Sequence, residues 1–148
     1  MLVVSVASAE SQRIETVTYT GFDAKQYTRL FQPLLDNPHM RFSDNENTWK
    51  LQTERLRTGA YAALVVQFNV HRTGPATMDA PLVSPDHLPK GVDDVATLVS
   101  CGDAVGGSGY QATIETKYKR DSNGWEPEAY HYQQVKDCAS AMQAYAKQ

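Results

Sequence analysis

The most apolar and β-prone stretch of the chain runs from Gly59 to Arg72. Every even position from Ala62 to Val70 is apolar, whereas polar side chains occupy the odd positions in the second half of the stretch. Because side chains alternate between the two faces of a strand, this pattern predicts a half-buried β-strand. The first half is apolar on both faces, which favours a central place in a sheet.

An earlier strand and a helix are predicted before this stretch. Arg13 to Thr20 is rich in β-branched residues and predicts a strand that Gly21 ends. Asp23 is then placed to cap a helix. Pro33 lacks a backbone N–H, so we expect this helix to kink there or to end near Phe31. Apolar residues recur at helical spacing and predict one stripe packed on a sheet: Tyr27, Leu30, Phe31 and Leu34.

The segment from Asn47 to Thr58 supports two interpretations. Trp49, Leu51 and Thr53 alternate as in a strand, and Gly59 could turn the chain directly into the central strand as a hairpin. The residue types also favour a helix with Gly59 as its C-cap. We expect the strand, because a hairpin would give the central strand a partner.

Thr73 to Gly91 contains four prolines among small polar residues and predicts a long irregular connection. Long ordered loops in compact domains often carry function. This loop therefore supplies candidate partner-binding residues: Asp79, Asp86 and His87. An equal alternative is that the loop only connects two strands and has no binding role. Val92 to Val99 predicts a short helical turn before a glycine-rich segment.

Two further strands and a helix are predicted near the C-terminus. Tyr110 to Lys119 alternates between apolar and polar residues, and Asn123-Gly124 is the strongest hairpin signal in the chain. Trp125 to Val135 is then the return strand. With Asn123 and Gly124 as the two loop residues, Lys119 faces Glu128 and Thr116 faces His131. Asp137 can cap a short final helix, in which Ala139, Met142 and Tyr145 share a face.

Aromatic residues near this hairpin suggest a recognition surface. Trp125, Tyr130 and Tyr132 could provide rigid contact area at low entropic cost, as aromatic side chains do in protein interfaces. They are therefore candidate partner-binding residues. The alternative is that they cover the core.

These elements predict a single α+β domain over residues 10–148. It should contain an antiparallel sheet of four to five strands, with an N-terminal helix packed on one face and a short C-terminal helix. A chain of 148 residues suits one domain with a proper core. Hydrophobic content of 41% and charged content of 21% are typical of a folded globular protein.

Residues 1–9 and the two cysteines suggest export. Leu2 to Val6 is apolar, and Ala7-Ser8-Ala9 has the form of a signal peptidase site, so residues 1–9 are interpreted as a residual signal-like segment. An ordinary N-terminal strand is the alternative. Cys101 and Cys138 would pair in an exported protein, closing a loop of about 36 residues worth about 3–4 kcal/mol. In the cytosol they would be separate thiols.

Several classes of function are disfavoured by the sequence. The net charge of −3 and the scattered basic residues argue against a nucleic-acid partner. No apolar run reaches the roughly 18 residues of a transmembrane helix. The four histidines show no metal-ligand spacing, and the glycine-rich segment lacks the Gly-Lys-Ser/Thr of a phosphate loop. We therefore expect no metal, no cofactor and no catalytic constellation.

The function that these observations favour is a small periplasmic or secreted binding or inhibitor protein of the immunity type. Such a protein would recognise or neutralise a protein partner in the bacterial envelope. The alternative is a small hydrolase or ligand-binding domain with a pocket between helix and sheet, using His131 or His71 beside a carboxylate. A cytoplasmic acidic chaperone is a third possibility, which an oxidised cysteine pair would disfavour.

Overall fold

The computed structural model describes residues 12–37, 39, 46–73, 83–104 and 109–146. These ranges form a mixed α+β fold with one antiparallel sheet of five strands. The elements in chain order are β1 (Gln12–Thr20), α1 (Gly21–Lys25), α2 (Thr28–Asp36), α3 (Glu46–Thr58), β2 (Ala63–Thr73), β3 (Val95–Asp103), β4 (Gln111–Asp121), β5 (Gly124–Val135) and α4 (Cys138–Ala146).

The strands lie side by side in the order β1-β2-β3-β4-β5. β2 pairs with β1 on one side and with β3 on the other, so the prediction of a central strand is confirmed. The first strand and the two strands of the C-terminal hairpin are also confirmed, with β1 and β5 at the edges of the sheet.

The two faces of the sheet carry cores of different size. The front face packs against α1, α2 and α3 and holds the main core, which includes Leu64, Val66 and Phe68 of β2. The back face packs against α4 and holds a smaller core. Buried residues of this smaller core are Val65, Val99, Cys101, Cys138 and Met142.

The predicted N-terminal helix is present but divided. The chain turns at Gln26 and Tyr27 between α1 and α2, and the cap residue of α1 is Thr20, so the prediction of Asp23 as the cap is wrong. The predicted apolar stripe is confirmed, because Tyr27 and Phe31 are buried and Leu30 and Leu34 pack against the same core.

Pro33 lies inside α2, which continues to Asp36, so the helix does not end near Phe31, and the alternative of a kink at Pro33 stays a prediction. A proline inside a helix costs about 3 kcal/mol. Phe31 and Leu35 flank Pro33 and are both fully buried. Each contributes roughly 1.5–3 kcal/mol by its burial, which offsets that cost and holds the helix together.

The strand predicted for Asn47 to Thr58 is wrong, because this segment lies in α3. The neighbours of β2 are β1 and β3, so no hairpin partner is required. Gly59 ends the helix with a φ of +74°, and its N–H donates to the Arg55 carbonyl at 2.8 Å. The glycine therefore acts as the C-cap that the alternative interpretation expected.

The helical turn predicted for Val92 to Val99 is also wrong, because Val95 begins β3. β3 is buried on both faces, so its sequence lacks the alternation that marks a half-exposed strand. A tight turn precedes it. The Asp94 carboxylate accepts the backbone N–H of Gly91 at 2.9 Å and that of His71 at 2.8 Å, which holds the turn against β2.

The hairpin between β4 and β5 turns one residue earlier than predicted, because Asp121 faces Gly124 across the turn. The Asp121 carboxylate accepts the N–H groups of Asn123 at 2.7 Å and Gly124 at 3.0 Å, and this side-chain cap fixes the turn. Lys119 consequently faces Glu126 rather than Glu128.

A register shift at Lys117/Tyr118 changes the pairing further up the hairpin. Thr116 faces Tyr130, not His131 as predicted. Tyr130 therefore points to the front core, and His131 lies on the back face opposite Glu115.

The C-terminal helix α4 is fixed to the back face by a disulfide between Cys101 and Cys138, with a Cα–Cα distance of 5.6 Å. The Asp137 carboxylate accepts the Ser140 N–H at 2.7 Å, which confirms the predicted cap. Met142 packs with the cysteines, whereas Ala139 is exposed and does not belong to the buried face.

Removing the disulfide should destabilise the protein. We expect Cys101→Ala combined with Cys138→Ala to lower the free energy of unfolding by about 3–4 kcal/mol, because the unfolded chain regains the entropy of the open loop. Urea unfolding of the oxidised protein, the reduced protein and the variant measures this difference. Equal unfolding midpoints for all three would contradict a stabilising bridge.

Candidate functional site: the apical surface

Three chain connections meet at one end of the sheet. β1 and β3 end there, and β2 and β4 begin there, because neighbouring strands are antiparallel. We call this end the apical surface and define it by residues 20–22, 60–62, 102–103 and 110–111. Its residues come from three connections that are far apart in the sequence, so only the fold brings them together.

Two exposed aromatic residues flank the apical surface. The Phe22 side chain is 76% exposed and follows β1, and the Tyr110 side chain is 62% exposed and precedes β4. Three strand spacings separate β1 from β4, which amounts to about 14 Å. Aromatic residues are enriched in protein interfaces, so this end has the composition of a contact surface.

Two depressions lie at this end of the sheet. One has a volume of about 280 Å³ and extends from Gly21 to Met142 of α4. The other has a volume of about 260 Å³ and lies between Tyr61, Gly102 and Gln111. Ala62 lines both depressions, so they are adjacent, and each can accept a protruding side chain.

A buried arginine supports this surface from below. Arg55 of α3 is only 1% exposed. Its Nη1 donates to the Ser100 carbonyl at 3.1 Å and to the Ser100 hydroxyl at 2.9 Å. Its Nη2 donates to the carbonyls of Asp103 at 2.7 Å and Ala112 at 3.1 Å. One guanidinium thus joins the end of β3 to the start of β4.

The arginine belongs to a larger polar network inside the front face. Gln52, one helical turn before Arg55, is fully buried and donates to the Ile114 carbonyl at 3.2 Å. The Ser100 hydroxyl donates to the Gln52 side-chain oxygen. Burial lowers the pKa of the Arg55 guanidinium, and Tyr132, Tyr130 and Asp103 oppose this effect. Arginine nevertheless stays protonated in proteins, so a positive charge lies beneath the apical surface.

Backbone contacts also hold the described ends of the connections around the apical surface. The Ala62 N–H donates to the Cys101 carbonyl at 2.8 Å, and the Ala104 N–H donates to the Tyr110 carbonyl at 2.8 Å. A Cβ at Gly102 would lie 3.2 Å from the Tyr61 Cα, so this glycine permits the close approach of the two segments. A surface ordered before binding loses less entropy when a partner docks.

The predicted aromatic recognition residues lie elsewhere. Trp125 and Tyr130 are half-buried and pack against the front core, and Arg120 lies over the Trp125 ring at 5.4 Å. Tyr132 is half-buried on the same face, near Arg55. Their contacts match the alternative in which they cover the core, and their role in partner binding stays a prediction.

The predicted loop residues belong neither to the apical surface nor to the group of aromatic residues near the hairpin. Asp86 and His87 are exposed, and Ser84 and His87 exchange backbone hydrogen bonds of 3.2 and 2.9 Å. Asp79 lies outside the described residues, as does the signal-like segment 1–9. A binding role for Asp86 and His87 also stays a prediction.

The opposite end of the sheet, the basal end, has a different character. Its cavity of about 470 Å³ is wide and lined mostly by charged side chains. Asp121 and Glu126 share a hydrogen bond there, which raises the pKa of Glu126, while backbone N–H donors lower the pKa of Asp121. Charged residues are depleted in the centres of protein interfaces, so the apical surface is the better candidate.

Both histidines of the alternative hypothesis have a carboxylate nearby. His71 Nδ1 lies 3.3 Å from the buried Asp94 carboxylate, and His131 faces Glu115 across the hairpin. The structure also has a cavity between α4 and the sheet. Among the residues described, neither histidine lines that cavity, so the predicted histidine and the helix–sheet pocket are separate.

Three further features bear on function: metal-binding geometry, membrane-spanning helices and similarity to known proteins. Within the described ranges, no group of three or more His, Cys, Asp or Glu side chains is arranged to hold a metal ion. No helix in those ranges combines the length and apolar character needed to cross a bilayer. Comparisons with protein-family models, with curated proteins and with solved structures found no match.

Replacing the buried arginine should destabilise the fold far more than replacing an exposed one. Arg55→Met leaves three backbone carbonyls and one hydroxyl without their donor. Each unsatisfied buried acceptor costs about 1–3 kcal/mol, so we expect a loss of about 3 kcal/mol or more in urea unfolding.

Arg57→Met is the matched control on the same helix, because the Arg57 side chain is 61% exposed in its ion pair with Glu54. We expect Arg57→Met to change the free energy of unfolding by no more than about 0.5 kcal/mol. Arg55→Lys keeps the positive charge but lacks the planar guanidinium group with its several N–H donors. Its loss of unfolding free energy should therefore lie between those of Arg55→Met and Arg57→Met. Similar losses for Arg55→Met and Arg57→Met would show that the buried contacts contribute little.

Proposed function

We propose that this protein is a small exported binding protein of the inhibitor or immunity type, which recognises a protein partner in the bacterial envelope through its apical surface. The observation that carries this proposal is the pair of exposed aromatic residues, Phe22 and Tyr110, beside two shallow depressions on a braced framework. The partner would present apolar side chains that fill those depressions.

The Cys101–Cys138 disulfide supports export. Structural disulfides persist in the periplasm and outside the cell, whereas cytosolic thiols are kept reduced. Both sulfur atoms belong to residues that are at most 5% exposed, so the bridge is shielded from attack by thiols in solution. This argues against the cytoplasmic chaperone among the alternatives.

The contacts beneath the apical surface support binding rather than catalysis. Arg55 joins the end of β3 to the start of β4, and the disulfide joins β3 to α4 at this end. Inhibitor-type proteins gain affinity when the contact surface is ordered in advance, because little conformational entropy is lost on docking. The aromatic pair supplies the kind of side chain that dominates binding energy in such interfaces.

Capture of the partner from an envelope extract of the producing cells tests this proposal. The double variant Phe22→Ser with Tyr110→Ser should lose the partner that the unmodified protein retains, with affinity reduced by about ten-fold or more, as expected for two aromatic anchors. Both side chains are exposed, so the variant should fold normally, which circular dichroism and the urea midpoint can verify.

A matched control uses the exposed apolar residues of the basal end. Ile14 is 60% exposed and Val92 is 57% exposed, so Ile14→Ser with Val92→Ser removes a similar type of surface. This variant should keep the partner. Loss of the partner from the basal variant alone, or equal capture by both variants, would rule out the apical surface. Failure of the unmodified protein to retain any partner would count against a binding protein altogether.

A further inference from the structure

A cavity of about 190 Å³ lies on the back face of the sheet, at the end of α4. Six of its lining residues form a grid of cross-strand neighbours from β2, β3 and β4. The row nearest to α4 is Val65, Val99 and Glu115, and the next row is Gln67, Thr97 and Lys117. Every second residue of each strand faces this side, which explains how three strands supply one site.

Tyr145 closes the cavity on the side of α4. Its hydroxyl donates to Glu115 Oε1 at 3.3 Å, and the disulfide at the start of the helix holds α4 over the sheet. Burial raises the pKa of the Tyr145 phenol, and the neighbouring Glu115 raises it further, so the phenol stays a hydrogen-bond donor at neutral pH.

The floor and the walls of the cavity differ in chemistry. Val65 and Val99 are almost completely buried and form an apolar floor. Glu115 and Lys117 provide opposite charges on the wall, with side chains only 22% and 35% exposed. Lys117 Nζ lies 3.9 Å from Glu115 Oε2, which is an ion pair too long for a hydrogen bond. Each group therefore retains hydrogen-bonding capacity for another partner.

We propose that this cavity binds a small α-amino acid. The ligand ammonium group would lie against the Glu115 carboxylate, and the ligand carboxylate would lie against the Lys117 ammonium group. Both charges of an α-amino acid are attached to one carbon, so they can meet the two protein charges side by side. Each of the four charged groups, two on the ligand and two on the protein, would then lie beside a group of opposite charge.

The volume limits which amino acids fit. Pockets for drug-sized ligands have volumes of roughly 300–1,000 Å³, which excludes nucleotides and large cofactors from this site. A short aliphatic or hydroxyl side chain can lie against the two valines, and Gln67 and Thr97 add polar groups to the lining. Glycine, alanine, serine and valine are the expected class. Binding at this site does not require a partner at the apical surface.

Titration of the full-length oxidised protein with L-alanine, followed by two-dimensional NMR, tests the proposal. We expect saturable shifts at amides lining the cavity. Glu115→Gln and Lys117→Met should each weaken the affinity by about ten-fold or more, because each removes one charge-assisted contact. Lys119→Met is the control, since Lys119 lies on the same strand and face but outside the cavity, and it should leave the affinity unchanged.

Ligand analogues test the same geometry without altering the protein. Propionate lacks the ammonium group and isopropylamine lacks the carboxylate, so both should bind at least about ten-fold more weakly than L-alanine. Absence of saturable shifts with all four amino acids would overturn the proposal. Equal affinity for L-alanine and the singly charged analogues, or an equal loss in Lys119→Met, would overturn it too.

Discussion

The buried guanidinium of Arg55 is the constraint on which the apical end of the sheet depends. Removing a cation from water costs several kcal/mol unless oxygen atoms replace the lost hydration. Here the replacement comes from the carbonyls of Ser100, Asp103 and Ala112 and from the Ser100 hydroxyl. These acceptors belong to β3 and β4, whereas the donor belongs to α3. The helix, the end of β3 and the start of β4 must therefore be positioned together, and the apical surface takes its shape from that requirement.

The two faces of the sheet reach stability by different means. The front face packs three helices over a continuous apolar core, so burial of apolar area stabilises it. The back face is covered by α4, which has nine residues and buries Cys138 and Met142. A helix this short is marginal by itself. The disulfide adds the stability that the small apolar contact area lacks, and it fixes the start of α4 to β3.

The success of sequence-based prediction followed the degree of alternation in each element. β1, β2 and β4 were predicted from β-prone or alternating residues, and β5 was predicted as the return strand of the Asn123-Gly124 hairpin. β3 was missed because it is buried on both faces, and α3 was mistaken for a strand because its buried face includes the polar Gln52 and Arg55. The hairpin register was wrong because the Asp121 side chain caps the turn. The apical surface could not be predicted, since Phe22, Ala62 and Tyr110 become neighbours only through the strand order.

The position of α4 places it in contact with both candidate sites. Met142 and Gln143 line one apical depression, and Tyr145 lines the cavity on the back face. A ligand that holds Tyr145 against Glu115 restricts the same nine-residue helix that forms part of the apical wall. Thermodynamic linkage then requires any such effect to be reciprocal, so a partner that orders α4 would favour the ligand by the same free energy. Because the disulfide already restrains α4 at Cys138, the freedom left for such coupling lies in the last two turns of the helix.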